Sequence, residues 1–230
     1  MKNNKKKQKE KYSKLQVILI FIFAFILFYS LFNIFKIFIN PTPFPLKNGM
    51  IFRFHDENGN KLTEEYDNIR YFNGKTYYTC DISYSNMPDT STTISGFMDK
   101  KGVFLISKTF KQKGKPDNTQ IFEPPTMVIK LPLFINSKWA YELLTSSPVA
   151  NGVIIKQNPI DPESKILHSY YYSMSHDNIK YKNKTVKTCR IDETSTDERS
   201  VKISYWVLQN TGVIQRSIYT DSGEVIYSLY

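Results

Sequence analysis

The distribution of apolar residues divides the chain into two parts with different periods. Leu15–Phe35 carries no charged side chain over 21 positions. An α-helix of that length rises about 30 Å, which matches the hydrocarbon core of a bilayer. After Ile39 the apolar residues alternate with polar ones in short runs, which is the period of β-strands. The pattern predicts one transmembrane helix over residues 15–39, followed by an all-β domain.

The residues around the apolar run predict its orientation. Residues 1–14 contain seven lysines and one acid, Glu10. By the positive-inside rule this basic tail stays in the cytoplasm and everything after Ile39 is extracytoplasmic. A cleaved signal peptide is the alternative, but its apolar region is shorter, about 7–15 residues, and ends at small residues. We therefore expect an uncleaved signal anchor, single-pass in the cytoplasmic membrane of a bacterial cell envelope, with the bilayer as a partner of residues 15–39.

The location of the positive charge argues against nucleic-acid binding. The whole chain has 31 Lys+Arg and 21 Asp+Glu, a formal net charge of +10. Residues 1–14 and Lys36 account for most of the excess, so the predicted β domain is nearly balanced. Nucleic-acid-binding domains carry a concentrated basic surface. We expect no nucleic acid as a partner.

The predicted extracytoplasmic part contains an internal repeat. The run from Ile69 to Ile82 matches the run from Ile179 to Ile191 when one gap is placed at Gly74, with eight identical pairs. Further matches keep the same order upstream and downstream. After a Pro-rich spacer at residues 40–45, the repeat divides the domain into β unit one, residues 44–112, a connector, residues 113–125, and β unit two, residues 126–230.

Each unit is predicted to be an antiparallel β-meander of four or five strands. Asn73-Gly74 lies between two Tyr-rich runs, which is a strong hairpin signal. Residues 137–145 could form a short helix, but the matching residues 50–55 favour a strand. Two such meanders are expected to form a curved sheet, a half-barrel or a clam, with a groove or a filled seam between the units.

The second unit resembles a group of bacterial extracytoplasmic β-rich proteins of uncharacterised function. The shared pattern is PLxxGxxWxY, then PAGxFxxCxxV, then YWxxxGVGxVK. Here it corresponds to 131–141, to 187–191 with Cys189, and to 205–214, although the PAG and the first glycine of GVG are absent. The resemblance implies a curved-sheet module of the lipoprotein-carrier kind. It implies no reaction, because no catalytic residues define the group.

The two cysteines, Cys80 and Cys189, occupy equivalent places in the two repeats. A disulfide between them is possible in an extracytoplasmic domain, and it requires Cα atoms closer than about 7 Å. The alternative is a pair of buried thiols inherited from one ancestral core position. Both cysteines share a predicted strand face with an isoleucine, which favours burial.

No constellation of residues predicts catalysis, a metal site or a cofactor. His55, His168 and His176 show no metal-ligand spacing and are expected to be exposed polar residues. The carboxylates Glu64-Glu65 and Asp192-Glu193 are expected to be solvated in turn-like segments. The chain is therefore expected not to be an enzyme, although a polar cleft gathering His168, His176 and acids would indicate one.

Aromatic residues are the remaining candidates for a binding surface. Trp139, Tyr141, Tyr171 and Trp206 could line a groove for a lipid or glycan. Aromatic side chains also pack well within sheets, so core packing is the alternative. The sequence predicts a non-enzymatic binding or envelope-assembly module, with an envelope protein, lipid or glycan as its partner. The alternative is a tethered lipid- or lipoprotein-handling β-clam, which requires an apolar cavity.

Overall fold

The computed structural model describes residues 14–39, 44–133, 136–164, 166–196, 202–220 and 223–230. Side chains of residues 14–17, 32–39 and 220 lie outside this description. The chain separates into two compact bodies, an N-terminal one, Met1–Asn40, and a C-terminal one, Pro41–Tyr230. The predicted basic tail, residues 1–14, and the predicted Pro-rich spacer, residues 40–45, lie outside the described residues except for Lys14, Phe44 and Pro45.

The N-terminal body contains one helix, α1, Lys14–Ile39. Its side chains are described for residues 18–31, where large apolar groups are exposed. Within the described part of the chain, no helix is both long and apolar enough to cross a membrane.

The C-terminal body is all-β, as the alternating pattern predicts. Its 13 strands are β1 Met50–His55, β2 Lys61–Phe72, β3 Lys75–Tyr84, β4 Thr90–Met98, β5 Gly102–Gln112, β6 Asn118–Lys130, β7 Ser137–Val149, β8 Gly152–Ile160, β9 Ser169–Tyr181, β10 Lys184–Ser195, β11 Ile203–Leu208, β12 Gly212–Thr220 and β13 Gly223–Leu229. Residues 137–145 are strand, so the helical alternative for this segment is wrong.

The strands close into a barrel in the order β1-β13-β12-β11-β10-β9-β7-β8-β6-β5-β4-β3-β2. The predicted open forms, a curved sheet, half-barrel or clam, are therefore wrong in this respect. Closure occurs where β1 meets β13, at Phe54–Leu229 and His55–Ser228. The pairing is antiparallel except between β6 and β8, which run parallel. Closure follows because a barrel pairs the strand edges that an open sheet would leave free.

The hairpin turns follow from local sequence. Asn73 and Gly74, and at the equivalent place Lys182 and Asn183, all have positive φ. Two consecutive residues of that kind form the type I′ turn, whose twist suits a tight hairpin. At the β4–β5 turn the Asp99 carboxylate accepts hydrogen bonds from the backbone N–H groups of Lys101 and Gly102.

The strand order is compatible with the predicted duplication. Strands β1 to β6 form one six-strand meander, and β7, β9, β10, β11, β12 and β13 form another, with β8 added between the two. Thr79 and Thr188 donate equivalent hydrogen bonds to the backbone oxygens of Asp67 and Asp177, at 3.2 and 3.0 Å.

The strand register places the extra residue of β unit one at a different position from the one given by the sequence alignment. Both hairpins have two-residue turns, whereas β2 has a bulge between Asp67 and Arg70 that β9 lacks. The gap in the alignment therefore belongs at this bulge and not at Gly74. These equivalences favour duplication, which stays a prediction.

The junction between the units differs from the predicted connector. Residues 118–125, placed in that connector, form the first part of β6. The two prolines at 124 and 125 concealed this strand, because proline cannot donate to a sheet. β6 loses its register with β5 across Phe122–Pro125, and Gln157 Nε2 donates to the Pro124 oxygen at 3.0 Å. A side-chain hydrogen bond thus satisfies a backbone oxygen of β6 where its pairing with β5 is interrupted.

Candidate functional site

An interior cavity of about 100 Å³ lies within the barrel. Most of its lining is apolar and includes Phe44, Leu46, Met98, Val103 and Val213. Phe44 and Leu46 precede β1 and lie outside the strands, yet Phe44 is buried in the core. The segment before the first strand therefore forms part of the cavity wall.

Four charged side chains also line the interior cavity: Glu64, Lys108, Glu193 and Arg216. They provide two formal charges of each sign, so the wall is balanced overall. Glu64 and Glu193 are buried. Charged groups are rarely buried unless they are paired, because removal from water strongly disfavours an isolated charge. Their presence distinguishes this cavity from a packing defect lined by apolar groups.

Arg216 and Glu64 form a buried ion pair between Nη2 and Oε1. Only 12% of the Arg216 side chain and 2% of the Glu64 side chain are exposed. Tyr66 Oη donates to Glu64 Oε2 at 3.2 Å, and the guanidinium lies 5.1 Å from the ring centroid of Tyr205. Burial acts to lower the pKa of Arg216, but the Glu64 carboxylate and nearby tyrosine hydroxyls outweigh it, so the pKa lies above its ordinary value.

One polar atom of this ion pair has no partner. Arg216 Nε is buried and makes no hydrogen bond among the described residues. A buried donor without an acceptor costs free energy, and such groups call for a physical reason. Arg216 lines the interior cavity, so an acceptor bound beside its guanidinium is a candidate for the missing partner.

These charged residues were missed at the sequence level. Glu64 and Glu193 were predicted to be solvated in turns, but they lie within β2 and β10 and are buried, so that prediction is wrong. A signal for Glu64 was available: Leu62, Glu64 and Tyr66 alternate along one strand and therefore share a face. Arg216 offered no such signal, because its partner Glu64 is 152 positions away.

The structure shows no disulfide between Cys80 and Cys189, one of the two alternatives that the sequence left open. Cys80 and Cys189 are both free and buried. They lie at equivalent positions of β3 and β10, and Cys80 also lines the interior cavity. Burial raises the pKa of the Cys189 thiol to about 12 and also raises the pKa of Cys80. Both are therefore core thiols, in agreement with the alternative that the repeat suggested.

We expect both thiols to resist iodoacetamide in the folded protein at about pH 8, because the reactive species is the thiolate. Folding stabilises the neutral thiol of Cys189, so this contribution is present below the unfolded pKa and is lost as the pH rises toward about 12. Mass mapping without reductant should show two alkylated cysteines after unfolding in urea. A linked Cys80–Cys189 peptide, or equally fast alkylation of the folded protein, would contradict this expectation.

The aromatic residues Trp139 and Tyr141 brace the junction between the units. Trp139 Nε1 donates to the Met127 oxygen at 2.8 Å, and the Met127 N–H donates to Tyr141 Oη at 3.0 Å. The Trp139 ring also stacks on Tyr172, with centroids 5.3 Å apart. The two hydrogen bonds satisfy the backbone of Met127, which lies beyond Glu123, the last residue of β6 that pairs with β8.

The other two candidate aromatics are also held by hydrogen bonds. Trp206 Nε1 donates to Asp177 Oδ2 at 2.9 Å, and this bond lowers the pKa of Asp177. Tyr171 Oη donates to the Ser164 oxygen at 2.8 Å. None of the four predicted groove residues is among those that line the interior cavity.

The histidines do not assemble a site in the described part of the chain. His55 stacks on Tyr230 with ring centroids 3.7 Å apart, and its Nε2 is buried without a hydrogen-bond partner among the described residues. His168 is exposed in a loop, and His176 lies opposite Cys189 on β9. Across the described residues there is no group of three or more side chains that could hold a metal ion.

Comparison with known proteins adds little to this description. No protein-family model and no curated protein matches the chain. A crystal structure of a candidate lipoprotein from Parabacteroides distasonis has a TM-score of 0.38 and 10% identity, and the match covers 81% of this chain and 96% of that chain. A likeness at this level supports no inference about function. The resemblance noted from 131–214 therefore rests on the sequence alone.

Proposed function

We propose that this chain is a non-enzymatic binding module of the cell envelope, attached to a membrane through its N-terminal segment. Its ligand would be a small apolar molecule with one neutral polar group, bound in the interior cavity. The observation that carries the proposal is the unpartnered Nε of Arg216, a residue that lines a largely apolar cavity. Ligand sites commonly combine apolar walls with a few polar groups that fix orientation.

The charges of the wall favour a neutral ligand. Glu64 is already paired with Arg216, and Lys108 and Glu193 complete two charges of each sign. A carboxylate placed beside Arg216 would also lie close to Glu64, and like charges in a buried site repel strongly. A carbonyl, ester or hydroxyl oxygen can accept the hydrogen bond of Arg216 Nε without adding charge.

The size of the interior cavity restricts the ligand further. Drug-sized ligands occupy pockets of about 300–1,000 Å³, whereas an apolar cavity of about 150 Å³ holds benzene. With about 100 Å³ available, a small molecule or the end of a longer one would fit. An entire lipid would require the wall to move.

The proposed attachment to a membrane rests on the sequence. Leu15–Phe35 is uncharged, and the lysines of residues 1–14 precede it directly. In that arrangement the N-terminus would stay in the cytoplasm and the barrel would be extracytoplasmic. Attachment through this segment would be seen as flotation of the full-length protein with vesicles after alkaline carbonate washing.

A second candidate function is the handling of a lipid or lipoprotein. It is favoured by one feature: Phe44 and Leu46, which wall the cavity, belong to a segment without strand hydrogen bonding. The Phe44 ring packs closely over Gly212, where a Cβ would come within 2.6 Å of its Cδ1. Outward movement of this segment would lengthen the cavity. Binding through a sheet edge is less favoured, because the barrel is closed.

Native mass spectrometry tests the proposed binding. Full-length protein is purified from membranes, and species retained after release from nanodiscs are identified. Val128 lines the interior cavity, so Val128→Phe should fill it and abolish retention. The matched control is Val149→Phe, because Val149 is exposed at the end of β7. Retention should be unchanged in this control.

The outcomes separate the candidates. A small neutral molecule lost only from Val128→Phe would support the proposed function. A full lipid, retained more strongly when Phe44→Ala opens the wall, would support lipid handling. Retention of nothing by the wild type, or equal retention by Val128→Phe and Val149→Phe, would contradict both.

A further inference from the structure

The two ends of the barrel differ in their loops. We call the end where Met50 begins β1 the proximal end and the opposite end the distal end. Antiparallel neighbours alternate in direction, so the proximal end also holds the β2–β3, β4–β5, β9–β10 and β11–β12 turns. The parallel β6 and β8 both finish there, and β7 starts there. Residues 44–49 lead into β1 at this end.

Charge is distributed unevenly between the ends. Segments at the proximal end are 44–50, 70–76, 98–103, 128–133, 136–138, 158–163, 179–186 and 207–213. They hold ten basic residues, namely Lys47, Arg70, Lys75, Lys100, Lys101, Lys130, Lys138, Lys180, Lys182 and Lys184. Against these stand three acids: Asp99, Asp161 and Glu163.

Among the described residues, the distal end is balanced. Its described segments are 54–62, 83–91, 110–119, 147–154, 166–171, 194–196, 202–204, 218–220 and 223–225. They contain five basic and five acidic residues. The nearly neutral charge of the domain therefore conceals a strongly basic proximal end.

Exposed aromatic residues project at the same end. Tyr71 and Phe72, beside the β2–β3 turn, are 77% and 63% exposed. Arg70 and Lys75 flank them in sequence. At the equivalent β9–β10 turn, Tyr181 lies with Lys182 Nζ 5.2 Å from its ring centroid. Aromatic rings combined with Lys and Arg are typical of surfaces that rest at the bilayer interface, where rings enter the headgroup region and cations meet anionic lipids.

We propose that the proximal end docks on an anionic bilayer surface, through the β2–β3 and β9–β10 hairpin tips. The inference rests on the proposed membrane attachment of the chain. Phe44 follows the last residue of α1 by five positions in sequence, so the basic end is the one that the chain reaches first. An anionic soluble polymer could meet the same charges, but it would give the exposed rings of Tyr71 and Phe72 no apolar medium.

Site-specific fluorescence tests the docking in the full-length chain. Both native cysteines are buried, so a Cys introduced at an exposed site can be labelled selectively with the fluorophore NBD. Phe72→Cys reports on the proximal end, and Asn58→Cys, in the β1–β2 turn, on the distal end. The labelled proteins are placed in phosphatidylcholine nanodiscs with and without phosphatidylglycerol, each containing doxyl-labelled lipid as a quencher.

We expect NBD at Phe72→Cys to be quenched about threefold more in phosphatidylglycerol nanodiscs than in phosphatidylcholine alone. Raising NaCl to about 1 M, where the Debye length is about 3 Å, should reduce the difference. NBD at Asn58→Cys should be unquenched in both. The charge reversals Lys180→Glu, Lys182→Glu and Lys184→Glu, made together, should weaken quenching at Phe72→Cys.

The proposal is overturned by equal quenching at both sites, or by quenching at Phe72→Cys that is the same with and without phosphatidylglycerol. An NBD shift caused by soluble polyphosphate, without quenching by lipid, would assign the end to an anionic polymer and also overturn it. Loss of carbonate-resistant flotation would instead contradict the attachment. Docking and attachment therefore fail in distinguishable ways.

Discussion

Glu64→Gln is expected to lower the free energy of unfolding by about 3–5 kcal/mol, because it leaves a buried guanidinium without its counter-charge. Glu64 makes the ion pair with Arg216 Nη2, and its other oxygen accepts from Tyr66. The amide of glutamine keeps the shape of the side chain but provides no negative charge. For a domain of this size the loss corresponds to a fall in Tm of about 10 °C.

The measurement is thermal or urea unfolding of the full-length protein in detergent, followed by circular dichroism. The matched control is Lys138→Ala, which breaks the exposed pair between Lys138 and Glu163, whose side chains are 61% and 73% exposed. Exposed pairs are strongly screened by solvent, so this control should unfold as the wild type does.

A double variant separates the charge from the packing. Glu64→Leu combined with Arg216→Leu removes both charges, and such replacements of a buried pair are often neutral or stabilising. We expect it to be more stable than Glu64→Gln while losing ligand retention, since Arg216 Nε is gone. If Glu64→Gln and Lys138→Ala have the same unfolding midpoint, the buried Glu64–Arg216 pair does not stabilise the fold by this amount.

Gly152→Ala is expected to destabilise the barrel by at least about 3 kcal/mol, through a backbone clash at the junction between the units. Gly152 begins β8 and pairs with Thr119 of β6. A Cβ there would overlap the backbone oxygen of Thr119, which cannot move away as a flexible side chain can. Its φ of +156° is also one that residues with a side chain rarely adopt.

Gly114→Ala is the matched control. Gly114 also has a positive φ, +76°, but no heavy atom lies within 4 Å of a Cβ placed there. Its cost should be limited to conformational strain of about 1–2 kcal/mol. Hydrogen exchange should show loss of protection over residues 119–123 in Gly152→Ala only. Equal stability of the two variants would mean that the β6–β8 junction does not require close backbone approach.

Much of the secondary structure was predictable because it depends on local patterns. Alternation of apolar and polar residues placed Cys80 and Ile82 on one face of a strand, β3, and the Asn73-Gly74 pair identified a hairpin before any contact was known. β6 escaped detection because Pro124 and Pro125 are poor strand residues, and the side chain that bonds the Pro124 oxygen, Gln157, is more than 30 positions away. Strand pairing over such distances has no local signature.

The candidate site was less predictable than the fold. Cys80 and Cys189 were correctly placed on the apolar faces of their strands, but only the structure shows that they are free. The aromatic residues that stood out, Trp139 and Trp206, are buried and are held by hydrogen bonds outside the interior cavity. Glu64 and Arg216 carry the proposed binding, but nothing in the local sequence distinguished this pair from the other charged residues.

The sequence by itself determined an all-β domain behind an uncharged apolar segment, and it indicated a repeated unit, because each follows from the period and composition of adjacent residues. The tertiary structure decided that the sheet closes, that Glu64 and Arg216 meet inside it, and that ten basic residues gather at one end. The physical reason is that alternation specifies which face a side chain takes, whereas strand order and direction decide which distant residues share that face or that end.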